Sequence, residues 1–294
     1  MMEIRGVITA MATPFARDQS LDVAGARRLA RHLVDNGSDG LVVAGTTGES
    51  PTLSDAEKLE LLDSVLDEVG DRTTVIAGTG SNDTRHSAEL TAAAVRAGAH
   101  AVIVVTPYYN KPNRAGIRAH YAAVAEAAGD VPLVLYNIPS RSVVNVAPDL
   151  AAELAAEISN VVAIKQANDD DLGPIDGLDV LAGNDESFLR ALEVGAVGGI
   201  LVASHLIGPE MRAVLDAAGA GDRDRAADLD AALVPIYRAL TVAPNPIPLK
   251  AALEALGLIE STLRLPMVPA SDSERATVRT ALEGRGLLSP AGAS

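Results

Sequence analysis

The amino-acid sequence predicts an α/β protein, an eight-stranded parallel barrel with a C-terminal helical extension. Short apolar runs alternate with helix-period segments along the 294 residues, as successive βα units do. Hydrophobic residues form 48% of the chain and aromatic residues only 2%, so the core must be aliphatic, as in parallel strands buried on both faces. No Gly-rich dinucleotide fingerprint follows the first strand, which favours a (β/α)₈ TIM barrel over a doubly wound sheet.

Eight apolar runs are the predicted strands, and each precedes a polar loop and a helix-period segment. Helix starts carry recognisable signals, such as Ser54 and Glu57, whose spacing is that of a capping box. Eight successive βα units are the number that closes a barrel. The predicted strands are residues 6–10, 40–44, 74–78, 101–106, 133–137, 161–165, 180–182 and 198–202.

The chain is expected to divide after the eighth unit, whose helix is predicted at 209–218. Residues 1–222 would form the barrel that carries the active site, and residues 223–294 would form the C-terminal helical extension. Within the extension, helices are predicted at 223–240, 248–256 and 271–283. A short low-complexity tail occupies 289–294.

Composition excludes several classes of function. A net charge of -15 argues against nucleic acid or an anionic membrane as a partner, because both would repel the protein. The absence of cysteine excludes disulfides and thiolate nucleophiles, and the five histidines show no metal-ligand spacing. No apolar run approaches the roughly 20 residues of a membrane span, and no secretory leader is recognisable. We therefore expect a soluble, cytoplasmic protein without a metal.

Lys165 is the most informative single residue. The chain has four lysines, and Lys165 closes the apolar strand at 161–165. Burial disfavours the charged form of an amine, and a neutral lysine amine can attack a carbonyl to form a Schiff base. The alternative is a strand-end lysine whose amine extends to solvent along its methylenes. Lys58, Lys111 and Lys250 lie in a polar helix pattern, a loop and a turn-rich segment, and we interpret them as ordinary lysines.

In a barrel of this kind the active site lies at the carboxyl ends of the strands. After strand two, the Gly-rich segment 45–50 offers free backbone N–H groups and the hydroxyls of Thr46 and Thr47, which could hold a carboxylate. A simple turn ahead of a capped helix is the alternative. After strand five, Arg141 has the fork geometry suited to a substrate carboxylate, although ordinary surface pairing would also explain it.

Three of the five tyrosines fall at predicted strand ends on this same face: Tyr108, Tyr109 and Tyr136. A tyrosine near an amine can move protons to and from carbonyl-derived intermediates, and a hydroxyl such as that of Thr46 can relay them. Each tyrosine could instead be a packing residue. Together with Lys165, the carboxylate cradle and Arg141, they indicate a class I aldolase-type site for a 2-oxo acid.

These motifs resemble those of the dihydrodipicolinate synthases, also called 4-hydroxy-tetrahydrodipicolinate synthases, within the pyruvate-dependent Schiff-base aldolases. The resemblance covers nearly the full length of the chain. Its amino-terminal half comprises residues 13–15, GTTGES at 45–50, the turn at 78–82, TPYYNKP at 106–112, YNIPSR at 136–141 and the Ile-Lys pair at 164–165. Its carboxy-terminal half comprises residues 182–185, 245–250 and 263–267.

The resemblance implies a role for each site residue. Lys165 would form the imine with pyruvate, and Thr46 and Thr47 would hold the pyruvate carboxylate. Tyr136 would donate and accept protons, connected through Thr46 to Tyr109, which would enter the site from a neighbouring subunit. Further residues implied in substrate binding are Arg141, for the carboxylate of aspartate 4-semialdehyde, and Gly183 and Ile200.

The resemblance also implies a homotetramer built as a dimer of dimers, and no metal or organic cofactor. Another pyruvate-dependent aldolase, such as a sugar-acid aldolase or an N-acetylneuraminate lyase, is the alternative function, and Arg141 favours the synthase. A noncatalytic binding protein on the same scaffold is a further alternative. The chain departs from the family pattern at Ser142, Val143 and Gln166, and the departures concern the second substrate more than pyruvate.

Relatives inhibited by lysine bind it in a pocket at the dimer interface. A carboxylate usual in that pocket is replaced here by His86, and Lys58 adds a positive charge. Both changes disfavour a cationic effector, so we expect weak or absent feedback by L-lysine. The corresponding residues here are Ser50, Pro51, Asp55, Lys58, Asn82, His86 and Tyr108.

Overall fold

The computed structural model describes residues 4–289, and eight parallel strands form a closed barrel in chain order. The predicted fold class is confirmed, with strand bounds within one residue of those expected. The strands are buried on both faces, which explains why a parallel barrel has the aliphatic composition seen in the sequence. The strands are β1 Gly6–Ala10, β2 Gly40–Val43, β3 Thr74–Gly78, β4 Ala101–Val105, β5 Leu133–Asn137, β6 Val161–Gln166, β7 Asp179–Ala182 and β8 Gly198–Leu201.

Helices surround the barrel and continue beyond β8. Ser54 and Glu57 form the expected capping box, each side chain bonding to the backbone of the other residue. The helices are α1 Val23–Asp35, α2 Asp55–Val69, α3 Thr84–Arg96, α4 Arg114–Ala128, α5 Pro139–Ser142, α6 Pro148–Glu157, α7 Phe188–Glu193, α8 Ser204–Gly219, α9 Arg223–Ala231, α10 Val234–Ala239, α11 Ile247–Ala255 and α12 Asp272–Gly284.

Two helix predictions were wrong in their bounds. The helix expected at 223–240 is two helices, because Pro235 lacks an N–H and its ring would clash with the carbonyl of Ala231, where α9 ends. The helix expected at 209–218 begins at Ser204 and contains Pro209. It accommodates this proline by a kink at Ile207, whose backbone leaves the helical region.

The barrel interior is filled by aliphatic side chains from alternate strand positions, including Ile8, Val42, Ala163 and Ile200. The β5–β6 ladder places Tyr136 opposite Lys165 at the carboxyl end of the barrel. Because strand pairing fixes this register, the two side chains start from adjacent backbone positions.

A second layer of core lies between the barrel and its helices. This layer includes Leu249 and Leu253 of α11 and Val278 and Leu282 of α12, in one cluster with residues of the barrel helices. The extension therefore packs directly on the barrel. The domain boundary between 222 and 223 stays a prediction. No helix in the described part of the chain is both long and apolar enough to cross a membrane.

Candidate active site

A cavity of about 530 Å³ opens at the carboxyl ends of β2 to β5. Thr46, Tyr136 and Arg141, which come from three separate sequence motifs, all line it. The extension contributes Arg264 and Met267 to the same wall. The seven residues of the expected effector pocket line this cavity too: Ser50, Pro51, Asp55, Lys58, Asn82, His86 and Tyr108.

Lys165 is almost completely buried, with 6% of its surface exposed. Its Nζ lies over the Tyr136 ring, 4.4 Å from the ring centroid. Within residues 4–289 the amine has no hydrogen bond or ion pair. Lys165 does not itself line the cavity, but Tyr136, which it contacts, does. The amine therefore does not extend into solvent along its methylenes, the alternative that the sequence left open.

The segment after β2 holds its two threonines differently. Thr46 is half-buried and lines the cavity, whereas Thr47 is buried and its Oγ1 accepts a hydrogen bond of 2.9 Å from Asn245 Nδ2. The hydroxyl of Thr13 donates to the Gly48 carbonyl at 2.7 Å, and a Cβ on Gly48 would lie 3.0 Å from that hydroxyl oxygen. A side chain at Gly48 would therefore press tightly on Thr13, which favours glycine at this point of the turn.

Arg141 lies in the short helix α5 and is exposed. Its Nη2 donates to the carbonyl of Asn245 at 3.5 Å. Among the described residues Arg141 has no carboxylate partner, so the surface pairing considered from the sequence is not found. Its guanidinium remains able to bind the carboxylate of a ligand in the cavity.

The third tyrosine of the sequence pattern lies elsewhere. Tyr109 is 87% exposed, has a φ of 69° and does not line the cavity of its own chain. Positive φ is uncommon for a bulky residue and marks a turn in the chain at Tyr109. The structure of one chain therefore brings Thr46, Tyr136 and Arg141 together but not Tyr109.

Gly183 and Ile200 do not line the cavity either. Gly183 donates its N–H to the Gln166 carbonyl at 2.8 Å, and a Cβ here would lie 2.6 Å from the Ala167 Cβ. Only glycine fits this contact between the end of β6 and the residue after β7. Ile200 is fully buried in the barrel interior, opposite Ile8.

Lys250 is not the ordinary lysine that its turn-rich segment suggested. It is 0% exposed, and its Nζ pairs with Glu49 Oε1 at 2.5 Å and donates to the Thr262 carbonyl at 2.8 Å. Burial lowers the pKa of Lys250 to about 8, against the opposing effect of Glu49. Two features of the sequence could have revealed this burial: lysine is rare in this chain, and apolar residues surround Lys250 at 248–253.

The part of the cavity lined by the seven residues of the expected effector pocket, here called the effector side, contains a compact charged cluster. Asp55 lies 2.8 Å from His86 Nε2 and 3.4 Å from Lys58 Nζ. Burial alone would raise the pKa of Asp55, but hydrogen bonds from His86 and Lys58 outweigh it and lower the pKa. Across residues 4–289 no group of three or more His, Cys, Asp or Glu side chains is placed to hold a metal ion.

Comparisons with known proteins cover almost the whole chain. The model of the "Dihydrodipicolinate synthetase family" matches residues 3–285. The 4-hydroxy-tetrahydrodipicolinate synthase of Symbiobacterium thermophilum is 47% identical over 288 residues, covering 96% of this chain and 98% of that protein.

Solved structures are equally close. The dihydrodipicolinate synthase of Thermotoga maritima superposes with a TM-score of 0.94 at 39% identity, covering 98% of this chain and 100% of that one. A structure described as the first monomeric dihydrodipicolinate synthase variant gives a TM-score of 0.93 at 40% identity, with 97% of both chains covered. The chain belongs to the dihydrodipicolinate synthetase family.

Proposed function

We propose that this chain is a lyase that condenses pyruvate with L-aspartate 4-semialdehyde through a lysine Schiff base. The product is 4-hydroxy-tetrahydrodipicolinate, on the route to diaminopimelate and lysine. The observation that carries the proposal is the unpaired, nearly buried amine of Lys165, 4.4 Å from the centre of the Tyr136 ring at the cavity. Full-length similarity to relatives with this activity supports it.

The reaction starts with attack of the Lys165 amine on the C2 carbonyl of pyruvate, and one water leaves as the imine forms. Loss of a C3 proton gives an enamine, whose carbon attacks the aldehyde, and the aldehyde oxygen becomes a hydroxyl. The substrate amine then attacks the imine carbon, closes the ring and releases Lys165. In this scheme Tyr136 donates and accepts the protons, and Thr46 relays them.

The pyruvate carboxylate lies in the cradle of Thr46 and Thr47. Because Asn245 donates to Thr47 Oγ1, the hydroxyl hydrogen of Thr47 is left to donate to a ligand. Gly183 and Ile200 complete the pyruvate site by shape rather than by polar side chains. Neither residue lines the cavity, so this assignment rests on the family resemblance.

Arg141 receives the carboxylate of aspartate semialdehyde. Its position on the cavity wall and its lack of a described carboxylate partner support the synthase over other pyruvate-dependent aldolases. The alternative, a sugar-acid aldolase or N-acetylneuraminate lyase activity, would share Lys165 and Tyr136 without needing this arginine.

Tyr109 completes the proton relay from a neighbouring subunit of a homotetramer. The 87% exposure of its side chain supports this, because an aromatic residue so exposed is available to a partner. A monomeric variant exists among the structural neighbours, so sedimentation analysis of this chain is the direct test. A cytoplasmic location belongs to the same proposal.

Two measurements test the function. Borohydride reduction in the presence of pyruvate must add the pyruvate-derived mass to Lys165, and an unmodified Lys165 would contradict every Schiff-base mechanism. Steady-state kinetics with aspartate semialdehyde and a panel of other aldehydes then identify the second substrate.

Arg141→Ala must lower kcat/KM for aspartate semialdehyde by about 100-fold, as loss of a charge-assisted contact predicts. The matched control is Arg118→Ala, an exposed arginine that pairs with Glu157 away from the cavity. Full efficiency of the Arg141 variant would show that its assigned role is wrong.

A further inference from the structure

The segment at residues 45–52, here called the strand-2 loop, is held by the C-terminal extension. Asn245 donates to Thr47, Lys250 pairs with Glu49, and the guanidinium of Arg264 donates to the Thr52 carbonyl at 2.8 Å. These contacts join residues about 200 positions apart in the chain. The loop that carries the carboxylate cradle is therefore not shaped by the barrel alone.

The backbone of the strand-2 loop changes direction at Glu49. Its φ of 55° lies in the left-handed region, which is unfavourable for a residue with a side chain. Its N–H donates to the Thr46 carbonyl at 3.1 Å, and its carbonyl accepts from Thr52 N at 2.9 Å and Thr52 Oγ1 at 3.0 Å. A change in the backbone of Glu49 would therefore move Thr46.

The side chain of Glu49 is fixed by the extension. Lys250 Nζ lies 2.5 Å from its Oε1, and the Arg264 N–H donates to its Oε2 at 3.1 Å. Both side chains of the ion pair are sealed from solvent, with 2% exposure at Glu49 and 0% at Lys250. Phe15 closes the site, since Lys250 Nζ and the guanidinium of Arg264 lie 4.2 and 4.3 Å from its ring centroid.

A buried ion pair is weak as a source of stability. Desolvation of the two charges offsets their attraction, and replacing such a pair by neutral groups is often neutral or stabilising. Burial opposes the charge on Lys250, while Glu49 supports it. The pair does, however, give the left-handed residue Glu49 a fixed direction, which a neutral pair could not do as well.

We propose that Lys250 and Glu49 are positioning residues for the pyruvate carboxylate, an inference that rests on the proposed function of the strand-2 loop. Lys250 does not touch the substrate: it holds Glu49, and Glu49 holds the Thr46 carbonyl and so sets the position of Thr46 on the cavity wall. The pyruvate site consequently includes part of the C-terminal extension.

The test uses the double variant Glu49→Gln/Lys250→Met, which removes both charges and leaves neither one unpaired. The readout is the pyruvate concentration that half-saturates borohydride trapping on Lys165, measured without the second substrate. A misplaced cradle raises this concentration about 10- to 100-fold, the effect of a displacement near 1 Å. Trapping at saturating pyruvate stays close to that of the wild type, because Lys165 is unchanged.

Two single variants complete the design. Glu49→Asp keeps the charge but shortens the side chain, and it must also raise the half-saturating concentration, which keeps the test decisive if the double variant does not fold. Arg275→Met removes an ion pair with Glu254 in the extension, away from the strand-2 loop, and must leave this concentration unchanged.

The outcomes separate this inference from the proposed function. If the wild type is trapped at Lys165 and either Glu49 variant folds with the wild-type half-saturating concentration, the positioning role is wrong and the Schiff-base function stands. If the wild type is not trapped at all, both are wrong. A melting temperature near that of the wild type, together with weakened pyruvate binding, is the result that a purely structural pair would not give.

Discussion

Lys165 and Lys250 are both withdrawn from solvent, yet the groups around their amines differ. Lys250 faces the Glu49 carboxylate at 2.5 Å and donates to the Thr262 carbonyl. Lys165 lies over the Tyr136 ring and, in the described part of the chain, has no hydrogen bond or ion pair. A paired ammonium must give up its partner before it can react, whereas Lys165 has no ion pair in the described part of the chain and meets the buried Asp185 carboxyl only at longer range. We therefore propose that the absence of an ion pair, rather than burial alone, distinguishes the lysine that reacts.

The largest expected effect comes from removing the amine of Lys165. Lys165→Met should reduce turnover by at least about 10³-fold, since it removes the amine that we propose forms the covalent intermediate. No ion pair is lost, so the free energy of unfolding should change by less than about 1 kcal/mol. Steady-state assays and urea unfolding measure the two effects. A large loss of stability in this variant would show that its amine has a partner after all.

The second prediction concerns removal of the amine of Lys250, which breaks its ion pair with Glu49. Lys250→Met leaves Glu49 buried without its cation and should lower the free energy of unfolding by about 3–5 kcal/mol. Urea denaturation measures this loss. The control is Arg279→Met, which removes a partly exposed pair with Glu283 within α12 and should cost only about 0.3–0.5 kcal/mol. Equal losses in the two variants would contradict the distinction between the pairs.

Two histidines extend the comparison to other titratable groups that are buried without an ion pair. Burial lowers the pKa of His120 to about 4, and it does the same for His205. Ala12 N–H donates to His205 Nε2 at 3.1 Å, so this nitrogen carries no proton. The unfolded chain binds the proton more readily, so the stability that these groups give is present above pH 6.5 and is lost as the pH falls towards 4.

The expected size is about 3 kcal/mol for each histidine between pH 6.5 and 4, because one unit of pKa is worth about 1.4 kcal/mol. Urea unfolding across this range should show the loss in the wild type and a smaller one in His120→Gln. An unchanged pH dependence in His120→Gln would mean that His120 is not held neutral by burial.

The smallest expected effect concerns free L-lysine, whose amines would need an unpaired carboxylate in order to bind. On the effector side of the cavity Asp55 is already paired with His86 and Lys58. L-lysine at sub-millimolar concentration should therefore leave activity nearly unchanged in a coupled assay. His86→Glu restores a carboxylate and should gain inhibition. Half-inhibition of the wild type below 1 mM would contradict this prediction.

Sequence patterns predicted the barrel well, because period, spacing and aliphatic composition are local signals that all eight strands share. The register of β5 against β6, which places Tyr136 opposite Lys165, does not follow from the ends of the predicted runs, because an irregularity in the ladder at Leu133 and Val134 shifts the pairing. The break at Pro235 was also visible in the sequence, but the helix-period pattern outweighed it in the prediction. Pro235 ends α9 four residues earlier, at Ala231, whereas Pro209 only kinks α8.

The contacts of the extension could not be predicted in the same way. The pairing of Lys250 with Glu49, and of Asn245 with Thr47, depends on how α11 packs against the loop after β2, and no local pattern encodes that approach. Family resemblance assigned roles to the residues expected to touch the substrates and none to those that hold them. For Lys250 a signal was present in the sequence, namely a charged residue among apolar neighbours. The same signal had identified Lys165.

The hold of the extension on the strand-2 loop also sets an order of events during synthesis. A chain is made from its amino terminus, so all eight strands are translated before Asn245, Lys250 and Arg264 exist. Until those residues emerge, the loop lacks the partners that fix Thr46 and Thr47. The strand-2 loop, and with it the proposed carboxylate cradle, can therefore take its final shape only after the C-terminal extension has been made.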